Sequence, residues 1–392
     1  MTNCKHFGRC GGCVYLDIPY QEELTKKEAA LRQTLESYGH LLEAMIPAPS
    51  PQGYRNKMEL AFGDESKHGN LALGIRKRRS YYEVATPEDC VLIPDDFKKI
   101  AKCVQDYFRN SDETFFHRKR HTGSLRHLVL RRGEFTGELL IILSTTSALK
   151  TDLAPLIAQL KDLFKGAQAS SKTHGQIVGI LHSINDGVAD AVKDENTQIL
   201  YGRDYYNEEI CGLKFTVSAY SFFQINSAGA NRLYGVVNEM AANDAAPLAY
   251  DLYCGTGTIA QIISPIFEKV IGIELNPAAI EAAKENAKLN NITNCEFYAG
   301  DVQDILMQLN AQTPATAIVD PPRDGLHPKA LAKLIALAPE TLIYVACKPA
   351  SLTRDLMALT AAGYKPIKAI GVDMFPRTPH VECVMYLSKT NG

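Results

Sequence analysis

The stretch "PLAYDLYCGTGTIA", residues 247–260, constrains the fold more than any other. An apolar run leads into Gly255 and Gly257, and a helix-forming segment follows. A strand, a Gly-rich turn and a helix start are the opening unit of a parallel sheet. The alternation continues. "KVIGIEL" reads as a strand and "NPAAIEAAKENAKLNNI" as a helix, with Asn276 as N-cap and Pro277 at its first position. "CEFYAGD", "ATAIVDPPR" and "TLIYVACKP" read as strands, with the helix "PKALAKLIALA" between the last two. "KPIKAIGVDMFP" and "HVECVMYLS" read as a closing hairpin. Strands alternating with helices predict a parallel sheet covered on both faces.

Ahead of this region the texture differs. Residues 1–15 are dense in Cys and Gly, and residues 21–38 place Leu24, Leu31 and Leu35 on a helical period. "LRHLVLRRG" and "GELLIILST" read as two strands around a Gly-containing turn, "KTDLAPLIAQLKDLF" as a helix and "QIVGILHSIND" as a strand. The expected division is a short cysteine segment at 1–15, a central α+β domain at 16–218 and an α/β domain at 219–392.

No apolar run is long enough to span a bilayer, and "MTNCKHFGRCGGC" lacks the apolar core of a signal peptide. A cytoplasmic, reducing compartment is therefore expected, with the ten cysteines as thiols or metal ligands. The net charge of −2 does not announce a nucleic-acid binder, but the local distribution does. Arg118, Lys119, Arg120, Arg126, Arg131 and Arg132 fall in one segment without an acid. Arg76, Lys77, Arg78 and Arg79 precede Tyr81 and Tyr82. Basic runs interleaved with aromatics point to a phosphate-binding surface, which Arg55 and Lys57 could extend.

The glycine pattern G-x-G-x-x-A fits a dinucleotide or S-adenosylmethionine (SAM) alike. Glu274 ends the second strand, where an acid meets ribose hydroxyls, and Asp301 ends the third, where one meets an adenine amine. In open α/β sheets ligands sit beyond the carboxyl ends of the strands, which puts Tyr253, Glu274, Asp301, Asp320 and Cys347 on one rim. Asp320 opens "DPPR", whose prolines stiffen the loop. Cys347 is the last residue of its strand, and Lys348 and Arg323 nearby are expected to favour its thiolate. Glu382 lies in a strand apolar on both faces. It is either ion-paired, with Arg377 or Arg354, or a general base tuned upward by burial. Cys4, Cys10 and Cys13 are spaced C-x5-C-x2-C, and Cys90 in "EDCVLIP" is the candidate fourth thiolate. The spacing leaves zinc and an iron–sulfur cluster open.

Together these pieces resemble the RNA (uracil-5-)methyltransferase family, SAM-dependent enzymes that make 5-methyluridine in ribosomal or transfer RNA. The collinear matches are "FFQIN" (222–226), "DLYCGTGT" (251–258), "IEL", "DPPR" (320–323), "YVACKP" (344–349), "DMFPRTPHVE" (373–382) and "CKHFGRCGGC". Lys348 stands where the family usually has Asn after the nucleophile, and Thr258 where it often has Asn or a small residue. The resemblance implies a Rossmann-like catalytic sheet beside a central RNA-binding domain. It implies Cys347 as nucleophile and Glu382 as base, with Gln224, Tyr253, Glu274 and Asp320 holding SAM or the target base. It implies a four-iron four-sulfur (4Fe–4S) cluster on Cys4, Cys10, Cys13 and Cys90. By the same resemblance the N-terminal β-barrel of many relatives is expected to be absent, which favours 23S ribosomal RNA over uridine 54 of transfer RNA. A monomer acting on RNA away from membranes is expected. The rival readings are an NAD-dependent iron–sulfur oxidoreductase and a non-catalytic RNA-binding protein.

Overall fold

The computed structural model describes residues 4–165, 175–188, 196–243, 247–309 and 316–390. Two large sheets and a two-stranded one, Tyr205–Ile210 with Leu213–Ser218, organise the described residues. The C-terminal one has eight strands in the order Leu42–Ile46, Tyr364–Val372, Glu382–Lys389, Thr341–Ala346, Thr316–Val319, Leu248–Leu252, Lys269–Glu274 and Cys295–Ala299. The last five of these are parallel to one another, and Glu382–Lys389 runs antiparallel to both its neighbours. Strand Leu248–Leu252 lies between the strand that follows it in sequence and Thr316–Val319, so the strand order reverses there. Such a switch point opens a crevice at the carboxyl ends of the strands.

One strand departs from the expected division. Leu42–Ile46 belongs to the C-terminal sheet, paired in parallel with Tyr364–Val372. Helix Tyr20–Thr34 comes with it, burying Leu24 and Leu31, while Leu35 just beyond packs in the same core layer as Leu31. The sequence shows this segment as a helix but carries no local sign of which sheet it joins, because pairing over three hundred positions leaves no periodicity.

The central sheet has seven strands, running from Val84–Ala85 through Leu71–Arg76, Lys57–Asp64, Leu125–Arg132, Glu138–Thr145 and Gln176–Ile184 to Thr197–Gly202. Helices Asp95–Arg109 and Ala154–Leu163 pack on one face through Phe97, Ile100, Val104, Phe108, Leu156 and Leu160. The opposite face, through Val129, Leu140, Ile142 and Leu181, joins the same apolar core as helix Ser227–Ala241 and the C-terminal sheet. The two sheets therefore share a core.

This packing corrects the expected basic surface. Arg126, Arg131 and Arg132 are buried within the strand Leu125–Arg132. Arg131 donates to the carbonyls of Ser218, Ala219 and Ser221, Arg126 to those of Asn185 and Gly187, and Arg132 pairs with Glu134 and Asp96. Half of that run is internal scaffolding. Arg78, Arg79, Lys119 and Arg120 remain exposed beside Tyr81, which is 68% exposed, with the Lys119 ammonium 5.7 Å from the Tyr81 ring centre.

Candidate active site

Strand Thr341–Ala346 is buried throughout, and Pro349 starts the next helix, so the chain leaves the sheet at Cys347. The antiparallel register pairs Val345 with Val384 and Ala346 with Cys383. Cys347 follows Ala346 and Glu382 precedes Cys383, so both stand at the end of this pairing, where the Glu382 charge reaches the thiol. The sequence reading set Cys347 on the rim and left Glu382 as ion-paired or a base; the fold brings the two to one strand end.

Glu382 is 4% exposed, and its Oε2 has no hydrogen-bond partner among the described residues. The two arginines offered as partners are engaged elsewhere. Arg377 pairs with Glu23, and Arg354 with Asp355. Burial, and then the charge of Asp320, push the Glu382 carboxyl up to about 8, with Arg323 opposing. Burial pushes Asp320 up to about 7. The expected thiolate of Cys347 is not favoured by its protein surroundings. Arg323 does pull its thiol down, but burial, Glu382 and Asp320 together push it up to about 11. Two carboxyls that titrate near neutrality face a thiol that does not.

The loop 219–226 carries Gln224 and is fixed from several sides. The Asn56 backbone N–H donates to the Ile225 carbonyl at 2.9 Å, and its side-chain amide donates to the Gln224 carbonyl at 2.9 Å and to the Ser227 hydroxyl at 2.7 Å. Ser227 in turn donates to buried Glu208. Asn226 caps the helix, accepting from the Gly229 N–H at 2.9 Å, and donates to the Met374 carbonyl at 2.9 Å. Sequence reasoning missed Tyr234 here. It is buried, hydrogen-bonded to Gln224, and feels the charges of Asp320, Glu382 and Asp251. Its helical spacing with Ala230 and Val237 made it look like an ordinary core aromatic. Phe222, on the same loop, is 76% exposed.

The Gly-rich turn follows strand Leu248–Leu252. Tyr253, Gly255 and Gly257 have φ of 67°, 53° and 73°. A Cβ on Gly257 would lie 2.7 Å from the Phe297 ring. Glu274 accepts from the Gly255 N–H at 3.3 Å and from the Asn276 N–H at 2.9 Å, so it braces this turn. Burial, then Asp301, Asp355 and Glu274, push the Tyr253 hydroxyl up. Asp251, also missed, is buried and accepts from the Ala260 N–H at 2.8 Å, while its Oδ1 has no partner among the described residues. Replacing Gly257 with Ala is expected to cost about 2–4 kcal/mol, from left-handed backbone and overpacking together. Urea unfolding measures it.

Cys4, Cys10, Cys13 and Cys90 line a single small cavity together with His6, Leu92 and Thr86. Cys10 bridges to Lys77, and Lys5 pairs with Glu88 and Asp89, which joins the two segments. Burial and the neighbouring thiols Cys90, Cys10 and Cys4 push Cys13 up to about 12. Among the described residues no group of three or more His, Cys, Asp or Glu side chains stands in metal-holding geometry. The four thiols thus share a cavity without closing into a ligand set. No helix of the described residues is long and apolar enough to cross a membrane.

Comparison with known proteins decides between the rival readings. Residues 188–390 match the model of the tRNA (uracil-5-)-methyltransferase family. An RNA methyltransferase of Clostridium tetani is 41% identical, over 99% of this chain and 84% of that protein. The chain belongs to the RNA (uracil-5-)methyltransferase family. Another RNA methyltransferase, of Clostridium acetobutylicum, is 43% identical over 98% of this chain and 83% of its own length. The crystal structure of Pyrococcus abyssi tRNA (uracil-54, C5)-methyltransferase in complex with S-adenosyl-L-homocysteine superposes with a TM-score of 0.78 and 25% identity. It covers 96% of this chain and 86% of that one. As a member of this family the chain is a SAM-dependent RNA methyltransferase. The oxidoreductase and non-catalytic readings fall with that membership.

Proposed function

We propose that this RNA (uracil-5-)methyltransferase methylates carbon 5 of a uridine in RNA, with Cys347 as nucleophile and Glu382 as base. The observation that carries the reading is that Cys347 and Glu382 flank the Ala346–Cys383 pair at one strand end, each feeling the charge of Asp320. Carbon 5 of uracil is a poor nucleophile. Addition of the Cys347 sulfur to carbon 6 makes an enolate, nucleophilic at carbon 5. SAM supplies the methyl group that carbon 5 takes up. Glu382 then removes the carbon-5 proton, the carbon 5–carbon 6 double bond re-forms, and the Cys347 sulfur leaves. Gln224, Tyr253, Glu274, Asp301 and Asp320 are the residues assigned to SAM and the target base. Arg323 opposes both carboxyls in their effect on the thiol, so binding that neutralises Asp320 favours the thiolate.

The target base must leave its stack to reach such a rim. Phe222 stands exposed two residues before Gln224 and is placed to stack on a base. Phe222→Ala is expected to weaken RNA binding about 5- to 30-fold while leaving SAM binding within twofold. Filter binding with RNA and calorimetry with SAM read the two separately. The exposed set Arg78, Arg79, Lys119, Arg120 and Tyr81 is the part of the central domain suited to phosphates and unstacked bases.

We infer from their shared cavity that Cys4, Cys10, Cys13 and Cys90 would close on a 4Fe–4S cluster. Burial pushes the Cys13 and Cys90 thiols up, and a cationic centre would offset that. Methyl transfer has no redox step, so such a cluster would supply structure. Ribosomal RNA, 23S above all, is one substrate reading. The likeness to the Pyrococcus abyssi tRNA (uracil-54, C5)-methyltransferase favours transfer RNA as a second reading. Mapping 5-methyluridine in ribosomal and transfer RNA, from cells with and without the gene, decides between them. Loss of the mark from neither pool overturns the proposed function.

A further inference from the structure

Four buried charges beside the catalytic sheet have no part in the chemistry above. Glu23 and Lys27 lie one turn apart on helix Tyr20–Thr34 and pair at 2.8 Å. Lys27 Nζ also reaches Asp373 at 2.8 Å and donates to the Phe375 carbonyl at 3.1 Å. Arg377 closes the circuit. Its backbone N–H donates to Glu23 Oε1 at 2.6 Å, and its guanidinium to Glu23 Oε2 at 3.4 Å. The Tyr20 hydroxyl donates to Asp373 at 2.7 Å, and that of Tyr54 to the Pro376 carbonyl at 3.0 Å. Two cations thus balance two anions, all buried. Networks of this kind seldom add stability over an apolar core; what they can supply is one defined geometry.

The geometry in question is that of residues 373–381, the loop that leads into Glu382. Arg377 sits in the left-handed region at φ 68°, a conformation that a non-glycine residue keeps only when held from outside. It is held on a second side. The Val14 and Tyr15 N–H groups donate to the Arg377 carbonyl at 2.7 and 3.2 Å, and the guanidinium donates to the Ile18 carbonyl at 3.2 Å. Val14 directly follows Cys13. A continuous path of contacts therefore runs from the thiol cavity through residues 14–15 and Arg377 to the strand of Glu382.

We propose that Glu23 and Lys27 are positioning residues for Glu382, and that the segment following Cys13 holds the same loop, so that the placement of the thiol segment is felt at the base. This rests on the reading of Glu382 as the base. Addition of Cys347 and methyl transfer precede proton removal, so a displaced base stalls the reaction on the methylated covalent adduct.

The test compares Lys27→Met and Glu23→Gln with the wild type, using RNA that carries ordinary uridine. Glu23→Gln keeps the side chain's size and leaves the Lys27–Asp373 pair in place. Turnover is expected to fall about 10- to 100-fold, with KM for RNA and affinity for SAM within about twofold. A protein–RNA adduct should accumulate on denaturing gels. Hydrogen exchange across 373–381 should quicken about tenfold or more in Glu23→Gln and in Cys13→Ser. A folded Glu23→Gln that turns over like the wild type overturns the proposal. So does one that loses turnover and SAM affinity together without an adduct, because that is a structural role. Cys13→Ser with faster exchange confined to residues 4–15 overturns the link to the thiol segment. Glu382→Gln is run alongside. An adduct there but not in Glu23→Gln defeats the positioning role alone, whereas no adduct in Glu382→Gln defeats the base assignment itself.

Discussion

Glu382→Gln is expected to stop turnover and yet to make the ligand-free protein more stable at alkaline pH. The loss of turnover should be about 10²- to 10⁴-fold, the usual weight of a positioned base, with the methylated adduct accumulating. The stability gain follows from the same burial. The folded protein holds the Glu382 carboxyl up to about 8. The unfolded chain releases that proton near the ordinary glutamate value of about 4.3. Below about pH 4 both states are protonated, and the group does not affect stability. Between about pH 5 and 8 the unfolded chain has lost a proton that the folded chain keeps, so stability falls as pH rises. The loss is on the order of 5 kcal/mol by pH 8.5. Gln cannot ionise and escapes it. Melting curves should nearly coincide at pH 5, and the variant should melt about 3 °C or more higher at pH 8.5. Asp320, held up to about 7, gives a further decline of the same sign, so the variant's stability still falls somewhat with pH. A wild type whose stability rises from pH 5 to 8.5 contradicts this picture of the site.

Cys347→Ala should lower methylation by at least ~10⁴-fold, because without addition at carbon 6 there is no enolate to take the methyl group. Cys347→Ser should do no better, since an alcohol ionises far less readily than a thiol. SAM binding should survive both changes, which separates a lost nucleophile from a collapsed pocket. Wild-type kcat/KM should climb with pH between about 6 and 9, as Cys347, pushed up to about 11, must lose its proton and Glu382, at about 8, must be ionised to accept one. Tritium transfer from methyl-labelled SAM to RNA measures the rates.

The sequence exposed the catalytic half of this fold because its signals are local. Gly255, Gly257, the Asn276 cap and the strand–helix alternation each act over a few residues, and the structure places them as expected. The rim residues were legible for the same reason, each standing at the end of its own strand. What the sequence hid is pairing between distant segments. Nothing near Leu42 signals a partner at Ala369, and nothing near Lys27 signals Asp373. The basic segment misled through its composition. A run of arginines looks the same whether it faces phosphates or, like Arg131, backbone carbonyls of a neighbouring loop. Tyr234 and Asp251 stayed invisible because a buried polar group on a helix or strand carries no mark of what it faces.

The central claim is that sulfur 347 attacks the target pyrimidine and carboxylate 382 clears the proton that holds it there. RNA carrying 5-fluorouridine tests it most directly, because fluorine cannot be removed as a proton is. Incubated with SAM, the wild-type protein should form a stable methylated adduct, and mass spectrometry of the digest should place the nucleotide on the peptide containing Cys347. An adduct on any other residue, or complete absence of one from an enzyme that methylates the unfluorinated RNA, would contradict the account.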